Sequence, residues 1–415
     1  MKNESLKISK YIIQKKVNDK WLIYNTLTRK KQYLNEKIEK YYNDFHNNKE
    51  REIVEELVLN GFIVNPEEEL ITLKDKRESV LNPTVLRLII IPTMKCNFQC
   101  KYCYEKHSNT VMNEQIVNSI IMYVKKNIEK FSGVYISWFG GEPLLNMPII
   151  RKISKSIALI CTMYKKMFMS GITTNGYLLS DEVIDELLKY NFCHFQVTLD
   201  GPKETHDLSR PLIGGYSTFD KIKNNLLNLK KKENNFRLII RINISKTNEN
   251  KIIKFLDYLY ELFGNDERIE ILLKNVGRYS YNIENYNDYR DNASLQDYIQ
   301  YGRSIGLNMG SSLLFTEDSG FVCYASINNT FLVDYDGKVK KCTVLLDDKI
   351  NYYGRLDTNG ELQKDLDYKE KVIDEKCLNC EIYPLCFGLS CIRKNNDEKC
   401  LKLRKIVFDS IELIN

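Results

Sequence analysis

The chain has 415 residues, 43% of them hydrophobic, and a net charge of +6 from 61 basic and 55 acidic side chains. That length suits two or three domains, and so mild a charge is met by a mixed solvated surface as well as by an acidic partner. No apolar run reaches about 18 residues and the N-terminus lacks a signal-type stretch, so we expect a cytoplasmic protein without a membrane span.

Residues 1–80 read as a small unit of their own. Extended runs at Tyr11–Ile13 and Trp21–Tyr24 flank the turn residues Asn18 and Asp19, and helical patterns follow over about Leu34–Asn47 and Glu50–Asn60. Gly61 stops the second helix, and Phe62-Ile63-Val64 returns as a strand. This order predicts a winged-helix-like domain, with the charged stretch Pro66–Glu78 as the linker out of it. From residue 85 strands alternate with amphipathic helices. The strands are expected at Val85–Ile91, Val134–Phe139, Phe168–Thr173, Cys193–Leu199, Phe236–Ile244 and Ile269–Leu273. Six such units predict an α/β fold with a parallel sheet, over residues 81–275. Residues 276–320 are polar and tyrosine-rich and read as a bridge. In the final segment, 321–415, Phe331–Tyr335 and Lys338–Cys342 flank Asp336-Gly337, a hairpin signal.

Cysteine is the unusual residue. There are twelve, against four histidines (His46, His107, His194 and His206), which favours thiol-bound metal or redox chemistry over histidine-based catalysis. Met94-Lys95-Cys96-Asn97-Phe98-Gln99-Cys100-Lys101-Tyr102-Cys103 follows directly on the first strand of the α/β region. Three thiolates in one short loop can wrap a cubane cluster. No fourth cysteine stands nearby. A [4Fe–4S] cluster held by Cys96, Cys100 and Cys103 keeps one iron open, which the amino and carboxylate groups of S-adenosylmethionine (SAM) can chelate. Structural zinc, with four ligands and C-x2-C pairs, suits this spacing poorly.

The loop resembles the signature of the radical SAM superfamily, with Tyr102 in the aromatic place before the last cysteine. Gly140-Gly141-Glu142-Pro143 ends the second strand, Thr173-Thr174-Asn175-Gly176 the third, and Thr198-Leu199-Asp200-Gly201 the fourth, with Arg210 following. The resemblance covers about residues 85–275 and implies a partial (β/α)6 radical SAM barrel with its site at the strand ends. It implies SAM contacts from Tyr102, from Gly140, Gly141 and Glu142, from Thr174 and Asn175, and from Thr198 and Arg210 at the carboxylate and ribose. It also implies that the cofactor, cleaved by one electron, releases a 5′-deoxyadenosyl radical that does the hard chemistry.

Seven cysteines crowd the C-terminal segment: Cys323, Cys342, Cys377, Cys380, Cys386, Cys391 and Cys400. They resemble the SPASM domain, which houses two auxiliary [4Fe–4S] clusters. Position by position, the resemblance assigns Cys377, Cys380, Cys386 and Cys400 to an outer cluster, and Cys323, Cys342 and Cys391 to an inner one. Four residues separate Cys386 from Cys391 where three are usual, and the inner set shows three ligands only. A zinc ribbon is the alternative for the Cys377-x2-Cys380 half-site. Cys161 and Cys193 fit no motif and are expected to be structural thiols.

Residues 1–80 resemble the precursor-peptide recognition element of enzymes that modify ribosomally made peptides, on Trp21–Leu27 and on Glu55-Glu56-Leu57 with Gly61–Val64. A leader peptide can add a strand to such a sheet edge. The expected reaction is a crosslink, a cysteine-to-carbon thioether, in a precursor peptide, with an external one-electron reductant such as flavodoxin or ferredoxin and no nucleic acid. The competing readings are an anaerobic sulfatase-type maturase, in which an aspartate commonly follows the cysteine at position 342 where Thr343 stands here, another peptide crosslinking enzyme, and a zinc-bearing winged-helix protein that binds nucleic acid.

Overall fold

A computed structural model describes residues 6–35, 39, 42, 51–264, 266–277, 286–290, 293–310, 320–391 and 397–412. The expected helix at Leu34–Asn47 falls almost wholly outside them, and Leu34 itself ends a strand. Among the described residues no helix is long and apolar enough to cross a membrane. The chain forms two compact units, one of residues 1–83, 313–328 and 369–415, the other of 84–312 and 329–368.

The first unit opens with β1 (Lys7–Ile8) and the meander β2 (Ile12–Val17), β3 (Lys20–Asn25) and β4 (Lys31–Leu34). Asn18 and Asp19 both take positive φ, +46° and +62°, as a tight two-residue hairpin requires. The helix Arg51–Leu59 ends at Gly61, whose φ is +77°, and β5 (Ile63–Val64) pairs antiparallel with β1. Asn25, buried, ties these pieces together. Its amide donates to the Gly61 carbonyl and its oxygen accepts from Leu27 N–H at 2.8 Å.

Two expectations change here. Pro66–Glu78 is no linker but part of a helix, Pro66–Leu81. Asn65 caps it, proline sits in its first turn, and Glu67, Glu68 and Glu69 face the positive end of its dipole. Its apolar residues form no continuous stripe, so periodicity hides it. Nor do residues 1–80 stand apart. Tyr11, Leu27, Leu73 and Leu81 share one core with Val322, Ile327, Cys377, Tyr383, Phe387 and Leu389. Ile13, Leu22 and Tyr24 share another with Ile382, Leu385, Val407 and Ile411.

The second unit is an α/β layer structure. Its strands are β6 (Val85–Ile90), β7 (Gly133–Trp138), β8 (Met167–Thr174), β9 (Phe192–Thr198), β10 (Arg237–Ile244), β11 (Ile269–Asn275), β12 (Met309–Gly310), β13 (Thr330–Val333), β14 (Lys338–Lys340), β15 (Tyr352–Leu356) and β16 (Leu362–Lys364). The order is β12-β11-β10-β9-β8-β7-β6-β13-β14-β15-β16. The six expected strands, β6 to β11, are neighbours in chain order and all parallel. Helices connect them. Ile252–Phe263, for example, buries Ile252, Phe255, Leu256, Leu259 and Phe263 at helical spacing. β13, expected within the C-terminal domain, instead extends the sheet in parallel beside β6, with Leu332 opposite Ile89. All four of its residues are buried, as a strand inside a covered sheet must be. The segment 321–415 is therefore divided between the two units.

After β9 the chain enters the helix Lys203–Ser209, whose His206 is fully buried. Its Nδ1 accepts the Asp200 N–H at 3.0 Å, so Nε2 carries the proton and donates to Thr218 Oγ1 at 3.1 Å. Burial pushes its pKa down to about 3, with the Arg210 charge adding to the effect. A folded pKa below the unfolded value means that stability is lost as pH falls below about 6.5, by about 2 kcal/mol between pH 7 and 5 from this group alone. Denaturant titrations at the two pH values check this: the stability of His206→Gln should depend less on pH by about that amount.

Candidate active site at the carboxyl ends of the strands

The cysteine loop leaves β6 and is fastened at both sides. Thr93 Oγ1 accepts Lys95 N–H and donates to the Thr110 carbonyl, and Gln99 and Lys101 N–H bond to the Pro211 and Ser209 carbonyls at 2.9 and 3.0 Å. The loop after β7 then crosses it. A Cβ on Gly141 would lie 2.3 Å from the Lys95 carbonyl oxygen, and one on Gly140, at φ +110°, would lie 2.6 Å from Ile91. No side chain fits at either position. The Gly-Gly pair thus lets this loop pass against the cysteine loop, and Glu142 N–H bonds to the Lys95 carbonyl at 2.8 Å.

The Glu142 side chain is fully buried, and protein donors occupy its carboxylate. Thr174 Oγ1 (2.7 Å) and Leu144 N–H (3.0 Å) bond to one oxygen, Asn175 N–H (2.7 Å) to the other. Burial raises its pKa and these bonds oppose the rise. The carboxylate fastens the end of β7 to the end of β8. Asn175 Nδ2 in turn holds Asn97 Oδ1, inside the cysteine loop, at 2.7 Å.

A second network lies across β9 and β10. The Tyr102 hydroxyl donates to Asp200 Oδ2 and accepts from Arg210 (2.7 Å) and Asn243 Nδ2 (3.1 Å). Asp200, buried, also accepts from Asn243 N–H at 2.7 Å. Asp200 and Asn243 carry no role in the sequence reading. Asp200 stands in the quoted Thr198–Gly201 motif, and Asn243 ends a plain strand with no motif to mark it.

These pieces surround one cavity with about 930 Å³ of empty space including its open mouth. Cys96, Cys100, Cys103, Tyr102, Gly140, Gly141, Thr174, Asn175, Thr198 and Arg210 line it, and Glu142 does not. Of the cofactor residues read from sequence, Glu142 is the one that stands behind the wall. Burial pushes the Cys96 thiol up to about 12 and raises Cys100 and Cys103 as well. In water-free surroundings such thiols become thiolates when a cation takes the proton's place. Two buried atoms in this wall have no hydrogen bond, Nε of Arg210 and Oε2 of Glu105. Burial lifts the Glu105 carboxyl to about 8. Three soft thiols in one loop, an uncommitted guanidinium nitrogen and a hydroxyl without a partner at Thr198 fit an iron–sulfur cluster with a polar cofactor beside it.

The C-terminal cysteines divide between the units. In the first unit Cys377 lies within the short helical turn Glu375–Asn379, which Asp374 caps and Cys380 follows, and Cys386 ends the helix Tyr383–Cys386. The Cys386 thiol is pushed up to about 12 by burial, and the fields of Cys380, Cys377 and Cys400 add to it, so these four lie near one another. Cys323 N–H bonds to the Leu389 carbonyl at 2.9 Å, and Lys371 Nζ to the Cys391 carbonyl at 2.7 Å. Cys342 belongs to the second unit. Asn351, fully buried, fixes its loop by accepting from Lys341 and Cys342 N–H and donating to the Cys342 and Leu345 carbonyls, all within 3.0 Å. Cys161 is buried in the helix Met147–Met163, and Cys193 opens into β9 beside His194.

Glu142→Ala leaves three buried donors without a partner, and each such loss costs about 1–3 kcal/mol. Denaturant unfolding should show a drop of at least that size, and iron retained after anaerobic reconstitution should fall with it, because the cysteine loop loses its wall.

Residues 90–259 match the family model of the radical SAM superfamily. A cysteine-type anaerobic sulfatase-maturating enzyme of Clostridium perfringens is 26% identical over 341 residues, covering 73% of this chain and 88% of that protein. The radical SAM cyclopropyl synthase TigE of Paramaledivibacter caminithermalis is 24% identical over 404 residues, covering 84% of this chain and 78% of its own length. Among solved structures, anSMEcpe with bound AdoMet and the Cp18Cys peptide superposes with a TM-score of 0.57 at 19% identity, covering 80% of this chain and 99% of its own. Streptococcus suis SuiB bound to precursor peptide SuiA does so with a TM-score of 0.50 at 15% identity, covering 92% and 94%. The family uses a [4Fe–4S] cluster and SAM, which are the groups that the three thiols and the cavity beside them fit. Residues 90–259 thus form a radical SAM domain, and the relatives that match across it are enzymes.

Proposed function

We propose that this enzyme forms a crosslink, a bond from a cysteine sulfur to a carbon, within a ribosomally synthesised precursor peptide. The observation that carries the reading is the presence, in one chain, of a thiol-lined cavity at the strand ends and of a small sheet with an open edge. β4 pairs with β3 on one side and, among the described residues, with nothing on the other. An extended leader can add there as a further strand. The solved structures of similar fold include several with a bound peptide, which supports a peptide as substrate class.

Cys96, Cys100 and Cys103 would hold the cluster, and the cavity wall at Gly140, Gly141, Thr198 and Arg210 would receive SAM. Bound together, these groups supply a hydrogen-abstracting radical. The chain's own part is to exclude water and to hold the peptide carbon in reach, because a radical reacts with whatever lies nearest. Joining sulfur to carbon removes two hydrogens from the peptide, one as the abstracted atom and one as a proton and an electron. Auxiliary clusters on Cys377, Cys380, Cys386 and Cys400, and on Cys323, Cys342 and Cys391, would give that electron a place to go. An external reductant of flavodoxin or ferredoxin type would start each turnover.

A sulfatase-type maturase is the second reading, favoured by the identity to the Clostridium perfringens enzyme. Thr343, where such enzymes commonly carry an aspartate, counts against it. Mass spectrometry separates the two. With a cysteine-containing precursor peptide as substrate, the reconstituted enzyme should remove two hydrogens and leave one cysteine that no longer alkylates. Oxidation of a sulfatase peptide at its cysteine, with the precursor peptide unchanged, would establish the maturase instead. Cys96→Ala should abolish 5′-deoxyadenosine release.

The leader edge has its own test. Asn25 N–H bonds to the Lys30 carbonyl, so alternate residues of β4 point their N–H groups outward, Tyr33 among them. Tyr33→Pro removes an outward donor without breaking the β3–β4 ladder. Peptide crosslinking should slow several-fold, while 5′-deoxyadenosine release without peptide stays at the wild-type rate.

A further inference from the structure

Strand β11 carries a charge that nothing in the site already described uses. Glu270, Leu272 and Lys274 alternate along it and share the face of the sheet on which Arg237, Arg241 and Asn243 of β10 stand, because Lys274 is directly opposite Asn243 in the parallel register. Arg241 and Asn243 of that face line the cavity, as do Asn275, Val276 and Gly277 just beyond Lys274, which is not itself among the lining residues. Glu270, low on the strand, is paired with Arg237. Lys274, at the catalytic end, has no hydrogen bond or ion pair among the described residues. It is partly buried, and its pKa is lowered to about 8 by that burial, with the Arg241 charge adding to the effect. Arg241 spends its Nε on Asn243 Oδ1 at 2.8 Å and makes no salt bridge among the described residues. Asp200, whose carboxyl feels the Arg241 charge, is bonded to Tyr102 and to Asn243 N–H.

Two like charges side by side and partly desolvated, with no ion pair of their own among the described residues and only the field of Arg241 reaching Asp200, repel each other. An anion that enters the cavity removes that penalty. Position says which anion. The cluster loop and the walls offered to SAM belong to β6, β7, β8 and β9, whereas Lys274 stands two strands beyond β9 and one rung nearer the mouth than Arg241. We infer that Lys274, with Arg241, forms an anion-binding subsite that takes a carboxylate of the peptide substrate, the side chain of a glutamate or aspartate near the modified residue or the peptide's own terminus. This rests on the proposed peptide substrate and adds what that peptide must carry. Docked there, an acidic group fixes the register of the peptide over the cavity, so Lys274 and Arg241 act as specificity determinants.

The test needs no knowledge of the natural peptide. Reconstituted enzyme with SAM bound is labelled with limiting sulfosuccinimidyl acetate, and acetylation of Lys274 is followed by peptide mass spectrometry. N-acetyl-glutamate methylamide, N-acetyl-alanine and N-acetyl-glutamine methylamide are compared as protecting agents. Protection by the first identifies a side-chain carboxylate, protection by the second a terminal one, and either supports the subsite. Equal protection by the glutamine compound, no protection by any of the three, or full protection by SAM alone overturns it. Calorimetry gives a second measure: Lys274→Met should bind the protecting carboxylate roughly tenfold more weakly or worse, and Lys274→Arg should keep most of the affinity. Wild-type affinity in Lys274→Met overturns the assignment. 5′-Deoxyadenosine release and peptide mass are read separately, so failure of the subsite and failure of the peptide-modifying reading are distinguishable.

Discussion

A carboxylate removed from water must be met by donors, and at Glu142 they come from the segments that the site needs in place. Three donors from two strand ends converge on it, and its own N–H reaches back to Lys95 in the cysteine loop. The consequence is a rigid frame made before any cofactor arrives. β6, β7 and β8 are held at their carboxyl ends by one buried charge, and the glycines at 140 and 141 are the condition for the loops to approach closely enough. A cluster gripped by one flexible loop would wander, and here the loop has fixed walls on the side of β7 and on the side of Ser209 and Pro211.

The second network uses the same economy of groups. Tyr102 lies between Cys100 and Cys103 in sequence and bonds to Asp200, Asn243 and Arg210 in space, so the loop that follows β6 is held by residues at the ends of β9 and β10 and by Arg210. His206, kept neutral by burial, positions the Asp200 backbone from behind. Charge is thereby paired on the wall, Arg210 with Tyr102 and Asp200, while burial keeps the Glu105 carboxyl largely protonated.

Much of this was legible in the sequence because it depends on local spacing. The six strands of the α/β region, the cysteine loop and the turn residues at Asn18, Asp19 and Gly337 follow from period, spacing and backbone preference, which need no knowledge of the rest of the chain. What escaped depends on partners far away in sequence. The helix Pro66–Leu81 lacks a clean apolar stripe, and its buried residues, Leu73 at the middle and Leu81 at the end, pack on residues hundreds of positions later. β13 reads as one arm of a C-terminal hairpin, and it is one, but its other edge belongs to β6. Glu142 shows the same limit at the scale of a side chain. Its motif marks it as functional, while only the fold shows that it faces the scaffold and not the cavity.

The way the chain is divided has a consequence for its birth on the ribosome. Residues 1–83 emerge first, yet the cores that cover Tyr11, Leu22, Leu73 and Leu81 are completed by residues between Val322 and Ile411. The whole parallel sheet is synthesised in between. Its contacts are mostly between neighbouring βα units, so it can form as it emerges. The N-terminal segment must meanwhile hold apolar side chains uncovered until the last cysteines leave the exit tunnel. The two halves of the first unit then close on each other around Cys377, Cys380 and Cys386, so a cluster held by the thiols proposed for it would be filled late in the life of the nascent chain, and truncation anywhere after residue 83 is a route to exposed core.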